Sequence, residues 1–254
     1  MLFYIQSDPN VMDLELYQFR SVLQPYVHEW AMISLEDVRT KEIQKNACPV
    51  GTIDFVTAYL NRTEGISSLS PIEVPKELRL EKFLHRTYEF VSYQDLPKKG
   101  TWFVKDISEL KRFSGILREM DHLEFLDPSH LFLISSPMEI LSEYRVIVLW
   151  DEIKGIQFYS GNVCVMPREE DIQLIQEMIL RYMMDPNRPK AYALDVAMII
   201  QNGKRECAIL EICPFVSVGT YGFVDASLPN LYQFGIQWYR DYNKGIKEEF
   251  GWKN

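Results

Sequence analysis

Apolar and polar positions run along this chain in two rhythms. In the first part short apolar runs alternate with helical spacing. Leu2 to Gln6 reads as a strand, Asp8-Pro9 as a helix start, and Met12, Leu16, Phe19 and Leu23 follow at helical intervals. His28 to Ile33 reads as a second strand. Cys48-Pro49-Val50-Gly51 is expected to turn, with Thr52 capping a helix that carries Ile53, Val56, Tyr59 and Leu60. Strand–helix alternation predicts a small α/β lobe to about residue 65, and Ser67 to Pro75, polar and Pro-punctuated, is the linker candidate.

The second part is dominated by strands. TWFVK ends at Lys105 and leads into a loop-like stretch from Asp106 to Gly115. Leu131 to Ser136 is a strand stopped by Pro137, and Tyr144–Trp150 and Ile156–Tyr159 form a hairpin around Asp151-Glu152. Glu169 to Met184 places Ile172, Ile175, Ile179, Tyr182 and Met183 on one helical face, and the Met183-Met184 face is expected to be core. Pro229 sits in the first turn of a last helix through Leu231, Phe234 and Trp238. The expectation is an α+β arrangement without internal repeats.

One hairpin, Tyr192 to Pro214, holds Asp195 and Glu211 in an otherwise apolar setting. A one-residue slip changes which side chains share a face, so register decides what they do. A two-residue Asn202-Gly203 turn sets Asp195 against Leu210. A three-residue loop through Lys204 sets Asp195 against Glu211, and pairs Leu194, Val196 and Met198 with Ile212, Leu210 and Ala208. The second register separates the faces and is preferred. It brings two carboxylates within ~5 Å at Cβ, a repulsive pair unless a cation joins them. Cys213 shares their face. Arg145, inside an apolar strand, needs a partner or a ligand, and Glu143 on the same face offers the former.

Composition narrows the function classes. The 254 residues are 47% apolar and 25% charged, which suits one large globular domain or two small ones. A net charge of −9 argues against broad binding to nucleic acid or anionic membranes. Four dispersed cysteines (Cys48, Cys164, Cys207, Cys213), with no basic leader segment and no apolar run near the ~18 residues that span a bilayer, point to a soluble cytoplasmic protein with free thiols. Cys207 and Cys213 read as small buried fillers, and His28, His85, His122 and His130 make no spaced zinc motif with the cysteines.

TWFVKDISELKRFSG, SSPMEILSEYRVIV, YALDVAMII and LEICPFVSVGTYG, in that order, resemble the ATP-grasp superfamily. The likeness is to small phage and bacterial ATP-grasp proteins and, more distantly, to the eukaryotic cell-division-cycle ATP-grasp chaperones. It covers residues 75 to 225, and implies an α+β fold holding a nucleotide between antiparallel-sheet lobes. Residues 1–70 would be a pre-ATP-grasp lobe and 71–254 the ATP-grasp domain. The resemblance implies that Lys105 meets the α-phosphate region and that Lys111, Ser114 and Gly115 cover the phosphates. It makes Ser135, Ser136, Pro137 and Met138 the hinge beside adenine, with Glu139 toward the ribose. Arg145 would reach the γ-phosphate, and Asp195 and Glu211, with Cys213 beside them, would hold Mg²⁺. Cations around a transferring phosphoryl group are what that chemistry needs.

The family reaction implied is ATP- and Mg-dependent joining of a carboxylate to an amine through an acyl phosphate, on an amino acid, peptide or protein terminus. Two departures stand out. Glu211-Ile212-Cys213-Pro214 carries a thiol where relatives have Glu-x-Asn-Pro, and Mg²⁺ prefers oxygen. The phosphate loop has one glycine. Both keep open the alternative of an ATP-binding assembly or chaperone module that ligates nothing. Ser217 and Tyr221 fit either a substrate loop or a plain turn.

Overall fold

The computed structural model describes residues 1–7, 14–25, 27–69, 72–108, 113–118 and 124–249, with side chains as far as residue 243. The amino-terminal part follows the expected alternation: β1 (Leu2–Gln6), α1 (Leu14–Ser21), β2 (Glu29–Ile33), α2 (Leu35–Thr40), β3 (Cys48–Val50) and α3 (Ile53–Glu64). The strands are parallel in the order β2-β1-β3. The helix start expected at Asp8-Pro9, with Met12, lies outside the described residues.

Two local readings are corrected. Cys48-Pro49-Val50 is a buried strand rather than a turn, and its proline is tolerated because β3 is an edge strand. Helix α2 is an addition to the expected elements, although Ser34 and Asp37 carry its signal. The Ser34 hydroxyl accepts the Asp37 N–H at 3.0 Å and the Asp37 carboxylate accepts the Ser34 N–H at 3.1 Å. Thr52 caps α3 as expected, accepting the Phe55 N–H.

Leu69 packs in the first core and Val74 in the second, so the linker candidate is where the chain passes from one to the other. A short helix α4 (Glu81–Leu84) follows, then β4 (Glu89–Ser92), β5 (Thr101–Asp106), β6 (Ser114–Arg118) and β7 (Leu131–Ser135). These strands form an antiparallel sheet in the order β4-β7-β5-β6. Val104, Phe132 and Ile134 bury against Leu96 and Leu126 on one face. Pleating therefore sends Phe103, Lys105, Leu133 and Ser135 to the other. Ser114 and Gly115 are ladder residues of β6, opposite Lys105 and Val104, rather than part of the loop before it.

The remaining elements are β8 (Glu139–Leu149), β9 (Glu152–Gly161), α5 (Glu169–Tyr182), β10 (Ala191–Gln201), β11 (Lys204–Pro214) and α6 (Leu228–Glu249). They build an antiparallel sheet in the order β11-β10-β8-β9. Helix α5 covers one face with Ile175, Met178, Ile179 and Tyr182 against Val146, Val148, Leu194, Val196 and Met198. It stops before Met183 and Met184, which are exposed rather than core. The opposite face is apolar at both ends. Ile147, Ala193 and Phe215 join α6 and the amino-terminal lobe at one end, and Ala197 and Ala208 meet Met138 and Leu210 at the other. No described helix is long and apolar enough to cross a membrane.

The β10–β11 hairpin combines the two registers. Asn202 and Gly203 form a two-residue turn with φ of 51° and 74°, a conformation that asks for Asn-Gly. Its register runs to Val196↔Ile209, where a β-bulge inserts Leu210, and pairing resumes at Asp195↔Glu211. The acidic pair is opposed as expected, but through the bulge rather than a longer loop. Val196 and Met198 accordingly face Ile209 and Cys207. A bulge leaves backbone groups without ladder partners. Arg86 takes them up, donating to the carbonyls of Ile209 at 2.5 Å and Leu210 at 3.0 Å.

Helix α6 lies so close to the end of β11 that a Cβ on Gly235 would stand 2.2 Å from the Phe215 carbonyl oxygen. Gly235→Ala is expected to lever α6 off the sheet and to cost about 1–3 kcal/mol. The thermal unfolding midpoint should fall by several degrees, roughly 2–4 °C per kcal/mol at this size. An unchanged midpoint would show that α6 shifts freely.

Candidate functional site

Between the apolar ends of the sheet runs a row of four directly opposed residues: Gln157 on β9, Arg145 on β8, Asp195 on β10 and Glu211 on β11. Arg145 donates from Nε to Asp195 Oδ1 at 2.8 Å and from Nη2 to Oδ2 at 2.6 Å, a forked pair. Its Nη1 donates to the Gly219 carbonyl at 2.9 Å. Arg145 is 9% exposed and Asp195 2%, so the pair is almost wholly out of water. Burial works against the Arg145 charge, but the Asp195 carboxylate outweighs it and holds the guanidinium above its usual range. Burial pushes Asp195 up, against the pull of Arg145. Glu143, the expected partner of Arg145, instead accepts the Tyr159 hydroxyl at 2.8 Å; two residues away on β8 it reaches a different neighbour.

The second sheet supplies the facing wall. Lys105 extends from β5 to Glu211 Oε2 at 3.1 Å and Glu73 Oε1 at 3.0 Å. Burial lowers the Lys105 pKa, and the two carboxylates more than reverse that, so the ammonium is firmly charged. Glu211 is pushed up by burial but drawn below its usual range by Lys105, and stays ionised. Between the sheets lies a cavity of about 420 Å³. Phe103, Ile116, Leu133, Met138, Ile140 and Leu210 make it apolar, and Arg86, Lys105, Glu73, Glu143, Glu211 and Tyr159 make one region strongly charged. The bulge lets Leu210 and Glu211, successive residues, both line it.

The expected residues meet here in large part. Lys105, Ser114, Gly115, Ser135, Ser136, Met138 and Glu211 line the cavity, with Arg145 and Asp195 in the row beside it. The hinge is tied down: Ser136 N–H donates to the Thr87 hydroxyl at 2.8 Å and Thr87 N–H to the Ser136 hydroxyl at 3.2 Å. Glu139 begins β8 exposed to solvent, off the cavity wall. Lys111 lies outside the described residues. Arg86, Glu73 and Tyr159 are additions that no sequence motif marks. The Tyr159 and Tyr221 rings stack 5.1 Å apart, and Arg145 lies 5.6 and 5.1 Å from their centres.

Whether Mg²⁺ fits is a question of donors and charge. Among the described residues no three His, Cys, Asp or Glu side chains gather as a ready metal cage. Glu211 presents an ionised carboxylate, and each Asp195 oxygen keeps a second lone-pair direction beyond its Arg145 bond. The charged lining also asks for a cation, since Glu73, Glu143 and Glu211 outnumber Arg86 and Lys105. These two carboxylates fit Mg²⁺; the thiol does not. Burial first, then Glu211 and Asp195, push the Cys213 thiol far up, so it stays protonated at neutral pH. Iodoacetamide at pH 7.5 is therefore expected to modify exposed Cys164 at least about tenfold faster than Cys213, as read by peptide mass spectrometry. Equal rates would contradict the protonated thiol.

No curated protein matches the chain in sequence. Solved structures that resemble it include D-alanine–D-alanine ligase from Bacillus anthracis complexed with ATP, at 13% identity, TM-score 0.52 and 99% coverage of both chains. The macrocyclase MdnC from Microcystis aeruginosa MRC, bound with precursor peptide MdnA, has 11% identity and a TM-score of 0.50, covering 94% of this chain and 100% of its own. The ATP-grasp ligase PsnB, complexed with a phosphomimetic variant of a minimal precursor, Mg and ADP, has 12% identity and a TM-score of 0.52, covering 93% of this chain and 98% of its own. At such identities these likenesses speak for the fold. Residues 83–230, more than half of the chain and including the cavity, the opposed row and both sheets around them, match the family model of an ATP-grasp domain, the second family of its clade, and the chain belongs to that ATP-grasp family.

Proposed function

We propose that this protein is an ATP- and Mg-dependent carboxylate–amine ligase that works through an acyl phosphate, with residues 1–70 as the lobe preceding the ATP-grasp domain of 71–254. The observation that carries this reading is the cavity between two antiparallel sheets, apolar over most of its wall and lined with Lys105, Arg86 and Glu211 beside the Arg145–Asp195 pair. The apolar wall and the tethered hinge suit a purine base, and the charged region suits its phosphates. Solved neighbours that are ligases of amino acids or peptides support the same class, with an amino acid, peptide or protein terminus as substrate.

In the reaction proposed, a carboxylate oxygen attacks the γ-phosphorus, the bond to the β,γ-bridging oxygen breaks, and ADP leaves. An amine then attacks the acyl carbon, and phosphate departs with the amine proton. Lys105 and Arg145 offset the charge that shifts toward the leaving oxygen and the equatorial oxygens. Asp195 keeps Arg145 charged and aimed, and the paired sheets exclude water. Mg²⁺, held by Asp195 and Glu211, would supply the further positive charge that this acidic lining needs.

The direct test is ADP release on incubation with ATP, Mg²⁺ and pooled amino acids or peptides. Turnover is expected only when a carboxylate and an amine are both present. Lys105→Met should weaken ATP binding by about ten- to a hundredfold, the worth of a charged hydrogen bond. Unchanged affinity would remove Lys105 from the phosphate site.

The protonated thiol of Cys213 favours a second reading, an ATP-binding assembly module that ligates nothing. Tight Mg²⁺-dependent ATP binding without any ADP release would select it. Cys213→Asn discriminates further: with an oxygen donor restored, half-saturation by Mg²⁺ is expected at a severalfold lower concentration. If it does not move, position 213 faces no metal.

A further inference from the structure

Arg145 does not hold its orientation alone. Its Nη1 rests on the Gly219 carbonyl, so its place depends on the loop that follows β11. That loop carries unusual backbone angles: Ser217 and Tyr221, neither a glycine, have φ of 51° and 48°. Such conformations persist where their surroundings hold them.

The holder comes from the other end of the chain. Glu15 Oε1, on α1, accepts the Thr220 N–H at 2.8 Å and the Tyr221 N–H at 3.1 Å. A carboxylate receiving two neighbouring N–H groups is a strong, charge-assisted anchor. Glu15 lies one helical turn before Phe19, which meets Phe3 at 5.3 Å and Tyr232 at 5.0 Å in edge-on contacts. Tyr232 meets Phe215, at the base of the same loop, at 5.1 Å. One aromatic cluster therefore fixes both α1 and the loop's root, and Glu15 closes the remaining gap. From there the Gly219 carbonyl reaches Arg145, and the Tyr221 ring lies over the guanidinium.

We propose that Glu15 is a positioning residue: by holding the Thr220 and Tyr221 N–H groups it sets the loop that aims Arg145 at the terminal phosphate of the nucleotide. This rests on reading the cavity as the nucleotide site, and it does not require that ligation occur. Glu15 acts through backbone, without touching Arg145 or substrate.

The test compares ADP with a non-hydrolysable β,γ-imido analogue of ATP, in the presence of Mg²⁺, by calorimetry on wild type, Glu15→Ala and Glu15→Gln. Hydrogen exchange of peptides across residues 215–222 and thermal midpoints are measured in parallel. Glu15→Ala should leave ADP affinity within about twofold, weaken the triphosphate analogue about five- to tenfold, and speed exchange in the loop. Glu15→Gln, which keeps an acceptor oxygen, should recover most of both. If Glu15→Ala does not fold, Glu15→Asp, one methylene short of the N–H pair, should show the same pattern. Equal weakening of both nucleotides, or unaltered loop exchange, overturns the role, as does a wild type that does not prefer the triphosphate. A wild type that prefers it yet releases no ADP from ATP counts against the ligase reading only, since the variants still report on Glu15.

Discussion

The forked pair between Arg145 and Asp195 is the constraint around which the site is arranged. Both residues are buried in a sheet whose same face is apolar at either end, so neither charge could stand there alone. Removing one partner of such a pair costs about 3–5 kcal/mol, because the other is left charged and dry. The row continues to Glu211, and Glu211 is balanced in turn by Lys105 from the facing sheet. Charge balance thus runs across both walls of the cavity. The protein alternates sign along it, and a polyanion with its cation can enter by exchanging partners rather than by creating new buried charge.

The same logic explains why the backbone is irregular where it is. A regular hairpin with an Asn-Gly turn would have opposed Asp195 to Leu210 and turned Glu211 away. The bulge at Leu210 restores the acidic pairing and lets two successive residues line the cavity, at the cost of carbonyls outside the ladder. Arg86 satisfies those carbonyls from a separate part of the chain and stands on the cavity wall itself. One side chain thereby stabilises the irregularity and contributes to the site the irregularity creates.

Much of this was legible in the chain, for reasons that differ by residue. Lys105 ends a strand just before a polar stretch, Arg145 and Asp195 interrupt apolar strands, and an unpaired charge there is too costly to be decorative. Local energetics singled them out. Arg86, Glu73, Tyr159 and Glu15 had no such mark. Their partners lie far along the sequence, 123 and 124 residues away for the Arg86 bonds, and in isolation each reads as an ordinary surface residue. Met184 failed in the opposite sense: its helical phase was right, but the helix ended first.

What the sequence determined by itself was therefore the periodic and the costly: the alternating lobe, the amphipathic helix α5, the hairpins and the ionisable residues set among apolar ones. Each follows from side-chain spacing or burial cost within a short window. The tertiary structure decided pairings. It made Asp195 rather than Glu143 the partner of Arg145, chose a bulge over a longer loop, spent the Ser136 N–H on Thr87, and joined α1 to the loop after β11 through Glu15. Those outcomes depend on which strands lie side by side and which lobes close on one another. They involve groups whose local windows are compatible with several partners, and only the packed fold brings one of them within hydrogen-bond reach.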